Sequence, residues 1–358
     1  MKTRSNSFRV GAVIPLSGVA GIYGPSCKAC LELSKGEINA KGGIDGSNVE
    51  LVFIDGARSA SEVGRDVEAM LDSGMLDGLV GMHDSDIRKA LVSANDGRVI
   101  YIYTPCYEGG HHADGLLTIG ETPKQQVGSA VTWLQETKGL KSWYFLGSDY
   151  SWPRVLRSYI QENSQQLGIE VISTQFTEIG CPDYSQYIQA IDEMRPDAIF
   201  FALVGDDSVQ FNREFGAYPF ASTMARFGPL MEENTLLAIG EENATGIYTA
   251  GGYFPSLDTP ENRIFKKKYA AFAGNDAPEI NTLSVSCYEG MCLLSDLLKN
   301  SKGGAITTIL KTCEGTSFTS VQGVLRLREG HAIRNIFLAR AVNNAFRIVH
   351  SFGEIDPM

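Results

Sequence analysis

Apolar and polar positions alternate along this chain in two different rhythms. Short apolar runs bounded by turn residues recur at 8–16, 76–81, 99–103, 143–146 and 198–204, and Val49, Leu51 and Phe53 alternate up to Asp55-Gly56. Runs buried on both faces are the signature of parallel strands. Between them the period changes to that of a helix. Val63, Val67, Met70 and Leu71 share one face, as do Val127, Ala130, Val131 and Leu134, then Val155, Leu156, Tyr159 and Ile160, then Tyr184, Ile188 and Ile191. Thr122-Pro123 predicts a capped helix start, Pro153 opens the next helix, Gly168 closes it, and Pro196 stops the one after. Strands alternating with helices predict an α/β fold with an open parallel sheet covered on both faces.

Two such sheets fit the length, one over 1 to about 121 and one over about 122 to 254. The remainder is helical to about 312 and then reads as antiparallel strands at 323–328, 335–342 and 346–350. A tail of that kind cannot form a third core. It must add to both lobes, so the chain crosses between them more than once.

Charge narrows the function. The 358 residues carry 31 Lys and Arg against 42 Asp and Glu, a formal balance of −11. An acidic chain repels a phosphate backbone and an anionic membrane surface, which excludes direct nucleic-acid binding. No apolar run reaches 18 residues, so membrane insertion is not expected. Lys266-Lys267-Lys268 reads as a solvated helix face. The N-terminus is polar, and its first apolar stretch is short and broken by Gly11 and Pro15, so it reads as a strand and not as a signal-peptide core. The seven cysteines are scattered without a pairing scheme, which points to a reducing compartment. Cys27-Lys-Ala-Cys30 lacks a second ligand pair and reads as two buried thiols on a helix. These signs predict a cytoplasmic protein, with the periplasm as the alternative if an upstream signal has been removed.

Ligands of open α/β sheets bind beyond the carboxyl ends of the strands. Four such ends carry hydroxyls, aromatic rings and small residues: Met82-His83-Asp84-Ser85-Asp86, Tyr103-Thr104-Pro105, Gly147-Ser148-Asp149-Tyr150 and Gly205-Asp206-Asp207. Hydroxyls and helix-start N–H groups donate to a small polar molecule, and aromatic rings cover its apolar parts. His83 is the histidine placed nearest the ligand. His111-His112 reads as a loop pair, because adjacent side chains diverge. The consecutive letters His83-Asp84-Ser85 cannot form a triad, which is built in space and not in sequence. No nucleophile elbow, phosphate loop, dinucleotide fingerprint or zinc-protease motif is present. No catalytic residue, metal ligand or cofactor is assigned.

These segments resemble a known family. Gly81-x-x-x-Ser85-x-x-Arg88-Lys89-Ala90, Tyr103-Thr104-Pro105-x-Tyr107-Glu108-Gly109, Leu146-Gly147-Ser148-Asp149-Tyr150-x-x-Pro153-Arg154 and Tyr253-Phe254-x-Ser256-x-Asp258-Thr259-Pro260 are similar to the type I periplasmic-binding-protein family. The branch is that of the amide-sensing regulator of amidase operons and the urea and short-chain amide binding proteins of ABC transporters. The resemblance implies two Rossmann-like lobes, 8–121 plus 255–327 and 122–254 plus 328–358, joined by three crossover strands with the ligand in the interlobe cleft. It implies no catalysis, and it implies ligand-holding roles for Ser85, Tyr103, Thr104 and Tyr150. His83, Gly205 and Asp206 complete the candidate set from their strand-end positions. Three departures stand out. His83 replaces an aromatic residue of the amide sensor, Gly205-Asp206-Asp207 looks more like the urea binders, and Leu230 stands where amino-acid binders place a glutamate. The expected function is a non-enzymatic sensor of a small amide or urea-like ligand, acting through an antiterminator-type partner, with a homodimer as a candidate assembly. The alternative is the solute-binding component of an ABC transporter for amides, urea or amino acids, partnered by a permease.

Overall fold

A computed structural model describes residues 7–110, 113–301 and 305–358, so the His111-His112 pair lies outside the described residues. The chain folds into two compact units. Unit one holds 1–18, 23–120 and 258–334; unit two holds 19–22, 121–257 and 335–358.

The chain enters unit one with strand β1 (Ser7–Ile14), helix α1 (Gly24–Ala40), β2 (Asn48–Asp55), α2 (Ala60–Asp72), β3 (Gly78–Gly81), α3 (Ser85–Asn95), β4 (Tyr101–Tyr103) and β5 (Leu116–Thr118). Unit two follows with α4 (Ser129–Lys138), β6 (Ser142–Ser148), α5 (Ser151–Leu167), β7 (Glu170–Thr177), α6 (Ser185–Met194), β8 (Ala198–Ala202), α7 (Gly205–Gly216), β9 (Ala225–Phe227), α8 (Glu233–Ile239) and β10 (Ile247–Gly251). The remainder is α9 (Pro260–Ala273), α10 (Thr282–Ser301), α11 (Ile306–Thr312), β11 (Ser317–Ser320), β12 (Gly323–Arg328), β13 (His331–Val342) and β14 (Ala345–Ile355).

In unit one the parallel order is β2-β1-β3-β4-β5. In unit two it is β7-β6-β8-β9-β10. The long β13 pairs in both: His331–Ile333 with β12 and His331 also with Thr118 of β5, while Phe337–Arg340 run antiparallel to β10. Val13, Val63, Val67, Leu79, Leu91 and Tyr101 centre the core of unit one, and Leu146, Ile188, Phe201, Phe211, Leu236 and Phe346 that of unit two. The α/β class and the antiparallel tail are therefore as the periodicities predict.

The differences have local causes. β7 lies at a sheet edge and alternates half-buried with exposed positions, so it shows no continuous apolar run. β5 and β9 are three residues each, too short for a periodic signal. The helix expected from Thr122 opens with a wider turn over Lys124–Gly128 before α4 begins. α6 ends ahead of Pro196, because Arg195 takes a left-handed conformation at φ 49° and closes the helix by its own N–H.

Candidate functional site

In unit one the ends of β3 and β4 bring His83, Ser85, Tyr103 and Thr104 together. The Asp84 carboxylate caps α3 by accepting from the Ile87 N–H at 2.8 Å, which makes Ser85 the first helical residue. Ser85 is buried, and its turn carries helix-start N–H groups, which as a class attract oxygen acceptors.

The other three are also buried, and their polar atoms serve the protein. Tyr103 Oη donates to the His83 carbonyl at 2.8 Å. Thr104 Oγ1 donates to the Gly81 carbonyl at 3.1 Å. His83 Nδ1 stands 3.0 Å from the Asp84 carbonyl and Nε2 2.9 Å from Tyr101 Oη. That pattern fits one neutral tautomer, with Nδ1 donating and Nε2 accepting. Burial holds the His83 pKa down at about 3, and the nearby Arg88 charge adds to the effect. Tyr103, Thr104 and His83 thus brace the 81–84 turn from beneath.

Beside them lies a pair to which sequence reasoning gave no role. Arg88 Nη2 donates to Glu108 Oε2 at 2.7 Å, with both side chains at most 6% exposed. The Arg88 guanidinium carbon sits 4.9 Å from the centre of the Tyr103 ring and 6.0 Å from that of Tyr107. Tyr107 Oη and Thr118 Oγ1 each stand 2.6 Å from Nδ1 of His331. The signal for Arg88 was its spacing, one helical turn after Ser85. His331, from the far end of the chain, left no local signal.

In unit two Tyr150 is half-buried and stands just before α5 in extended conformation. The preceding Ser148 is buried at the end of β6, where its Oγ accepts from the Val204 N–H. Gly205 starts α7 at φ 47°, and a Cβ there would lie 2.0 Å from the Val19 carbonyl oxygen, so only glycine fits. Asp206 is exposed in the first turn of α7. Asp207 is buried and accepts from the Gly180 N–H with both oxygens, at 3.1 and 3.0 Å. Burial raises its pKa to about 6 against that hydrogen bond, and Asp206 raises it further. Leu230 is half-buried, and the nearby Glu232 is spent on capping α8 through the N–H groups of Asn234 and Thr235.

Unit one also contains a cavity of about 360 Å³ among α1, α9, α10 and β11, lined by Glu37, Phe265, Lys268, Tyr288, Cys292 and Asp296. It holds none of the candidate residues. Among the described residues no group of three or more His, Cys, Asp or Glu gathers as a metal site, and no helix is long and apolar enough to cross a membrane.

Two units of parallel β/α topology, each with hydroxyl, aromatic and helix-start groups at its strand ends, define a class of small-molecule binding proteins. The chain belongs to the periplasmic binding protein family, whose model matches residues 7–345. It is 24% identical to Leu/Ile/Val-binding protein homolog 6 of Brucella melitensis over 353 residues, covering 92% of this chain and 86% of that protein. The solute-binding protein of an ABC transporter from Rhodopseudomonas palustris BisB5, in complex with 3,4-dihydroxybenzoic acid, shares the fold at a TM-score of 0.84 and 19% identity, over 99% of this chain and 98% of that one. The branched-chain amino acid transporter substrate-binding protein LivJ of Streptococcus pneumoniae, in complex with isoleucine, does so at 0.85 and 17%, over 98% and 99%.

Members of this family bind and do not catalyse, and this chain is non-enzymatic. The family also corrects one expectation: it points to the periplasm and not to the cytoplasm. Cysteine spacing is a poor guide to compartment here, because five of the seven thiols are buried. Burial raises the pKa of Cys30 beyond the usual thiol range, that of Cys292 to about 12 and that of Cys313 to about 11. A thiol without thiolate character does not need a reducing compartment to stay unpaired.

Proposed function

We propose that this chain is the solute-binding component of an ABC transporter and delivers a small uncharged amide or urea-like molecule to a permease. Family membership supports the transport role over control of an amidase regulator. The carrying observation for the ligand is the start of α3. Ser85 and its helix-start N–H groups are donors for a carbonyl oxygen, on a turn braced by Tyr103, Thr104 and His83. The strand-end motifs, similar to those of amide and urea binders, support the same ligand class.

Thermal unfolding with acetamide, urea, isoleucine and 4-hydroxybenzoate tests the reading. A ligand at 100 times its dissociation constant adds about 2.7 kcal/mol. Stabilisation by acetamide or urea is expected. Stabilisation by isoleucine or 4-hydroxybenzoate alone would overturn the ligand class while leaving the transport role standing.

A further inference from the structure

Arg88 and Glu108 form a buried ion pair beside the start of α3. Arg88 leaves the helix one turn after Ser85, and helical side chains lean toward the N-terminus, so its guanidinium is carried back toward the ligand-facing turn. It lies over the ring of Tyr103, and its charge is met by Glu108 at 2.7 Å. Arg88 Nη1 is buried and makes no hydrogen bond among the described residues. Of the other titratable groups at this helix start, Asp86 is paired with the exposed Lys89 at 3.1 Å. His83 is held neutral, and burial keeps the hydroxyls of Tyr101, Tyr103 and Tyr107 protonated. Asp84 is turned to the cap of α3.

A buried ion pair contributes little net stability, and well-packed apolar residues often do as well in its place. Its electrostatic effect is larger: the carboxylate cancels a positive charge that would otherwise act on any bound molecule through a medium of low dielectric. We propose that Glu108 is a specificity residue of the candidate site in unit one. By neutralising Arg88 it keeps the start of α3 indifferent to anions, so that an uncharged amide or urea is taken in preference to the corresponding carboxylate. Glu108 acts through Arg88 and is a positioning and charge-setting residue. The inference rests on the uncharged-ligand reading above and names what enforces it.

The test is the ratio of affinities for isosteric pairs, acetamide against acetate and benzamide against benzoate, measured by calorimetry on the full chain at low salt and near-neutral pH. Wild type is expected to prefer the amide in at least one pair. Glu108→Gln keeps the shape and frees the Arg88 charge, and should move that ratio toward the carboxylate by on the order of tenfold. Arg88→Gln/Glu108→Gln should return it. A merely structural pair would weaken both members alike and leave the ratio where it was. An unmoved ratio in Glu108→Gln, or a shift that the double variant does not reverse, overturns the proposal. If Glu108→Gln does not fold, Arg88→Gln, which leaves the carboxylate charge in place, must move the ratio further toward the amide, and an unmoved ratio there overturns it too. A wild type that binds neither member of either pair, or prefers the carboxylates, removes the uncharged-ligand reading and the proposal with it. Intact amide binding with an unresponsive ratio removes only the role of Glu108.

Discussion

His83 and Asp207 are each buried in the form that carries no charge most easily, and they respond to pH with opposite signs. His83 has its folded pKa depressed to about 3 from 6.5, so it favours folding above about pH 6.5 and loses that contribution as the pH falls toward 3. Asp207 has its pKa raised from 3.8 to about 6, so its ionised form costs stability above pH 6, and the cost is relieved as the pH falls. His83→Gln should therefore flatten the fall in melting temperature between about pH 6.5 and 4. Asp207→Asn should raise the melting temperature above pH 7 and steepen the same fall. Melting curves across pH 4–8 decide it, and two variants with the wild-type profile would show that neither group titrates as placed. Tyr150 makes a complementary case. It is half-buried in an extended conformation just before α5. Tyr150→Ala should lower solute affinity about tenfold or more while keeping the melting temperature within a few degrees. Unfolding of that variant would mark the ring as core.

At the scale of elements, the proposed binding role of α3 and its stability share one turn. One carboxylate caps it, and the same turn presents Ser85. Asp84→Ala should cost about 1 kcal/mol of unfolding free energy. Because the cap orders the first-turn N–H groups, solute affinity should fall with it, whereas Asp84→Asn, which can still accept from Ile87, should restore most of both. Denaturant titration with a parallel binding isotherm separates the two effects. Elements also mark where periodicity stops being informative. The strands β1, β6 and β8 were legible because both faces are buried. The edge strand β7 and the three-residue β5 and β9 were not, because an edge or a short pairing needs no apolar run.

At the scale of the whole molecule, the thiols report on compartment and packing together. Cys27 and Cys30 are buried on α1, Cys287 on α10, and Cys106 and Cys313 in the same unit, leaving Cys181 and Cys292 partly accessible. Since the thiolate is the reactive form and burial raises the Cys292 pKa to about 12, Cys181 should react first with a disulfide reagent in the native state. All seven should react in denaturant. Rapid reaction of four or more native thiols would contradict the packing described.

The α/β class and the antiparallel tail were legible in the chain alone, because both are written in local periods and turn residues a few positions long. The partners of the residues at the ends of β3 and β4 came from the fold. It turned His83 inward to Tyr101, spent the hydroxyls of Tyr103 and Thr104 on the turn beneath Ser85, and set Glu108 against Arg88. It also brought His331 to Tyr107 and Thr118 from more than two hundred positions away. Burial and hydrogen-bond partnership depend on contacts between distant segments, and no local pattern of hydrophobicity records which acceptor a buried donor will find.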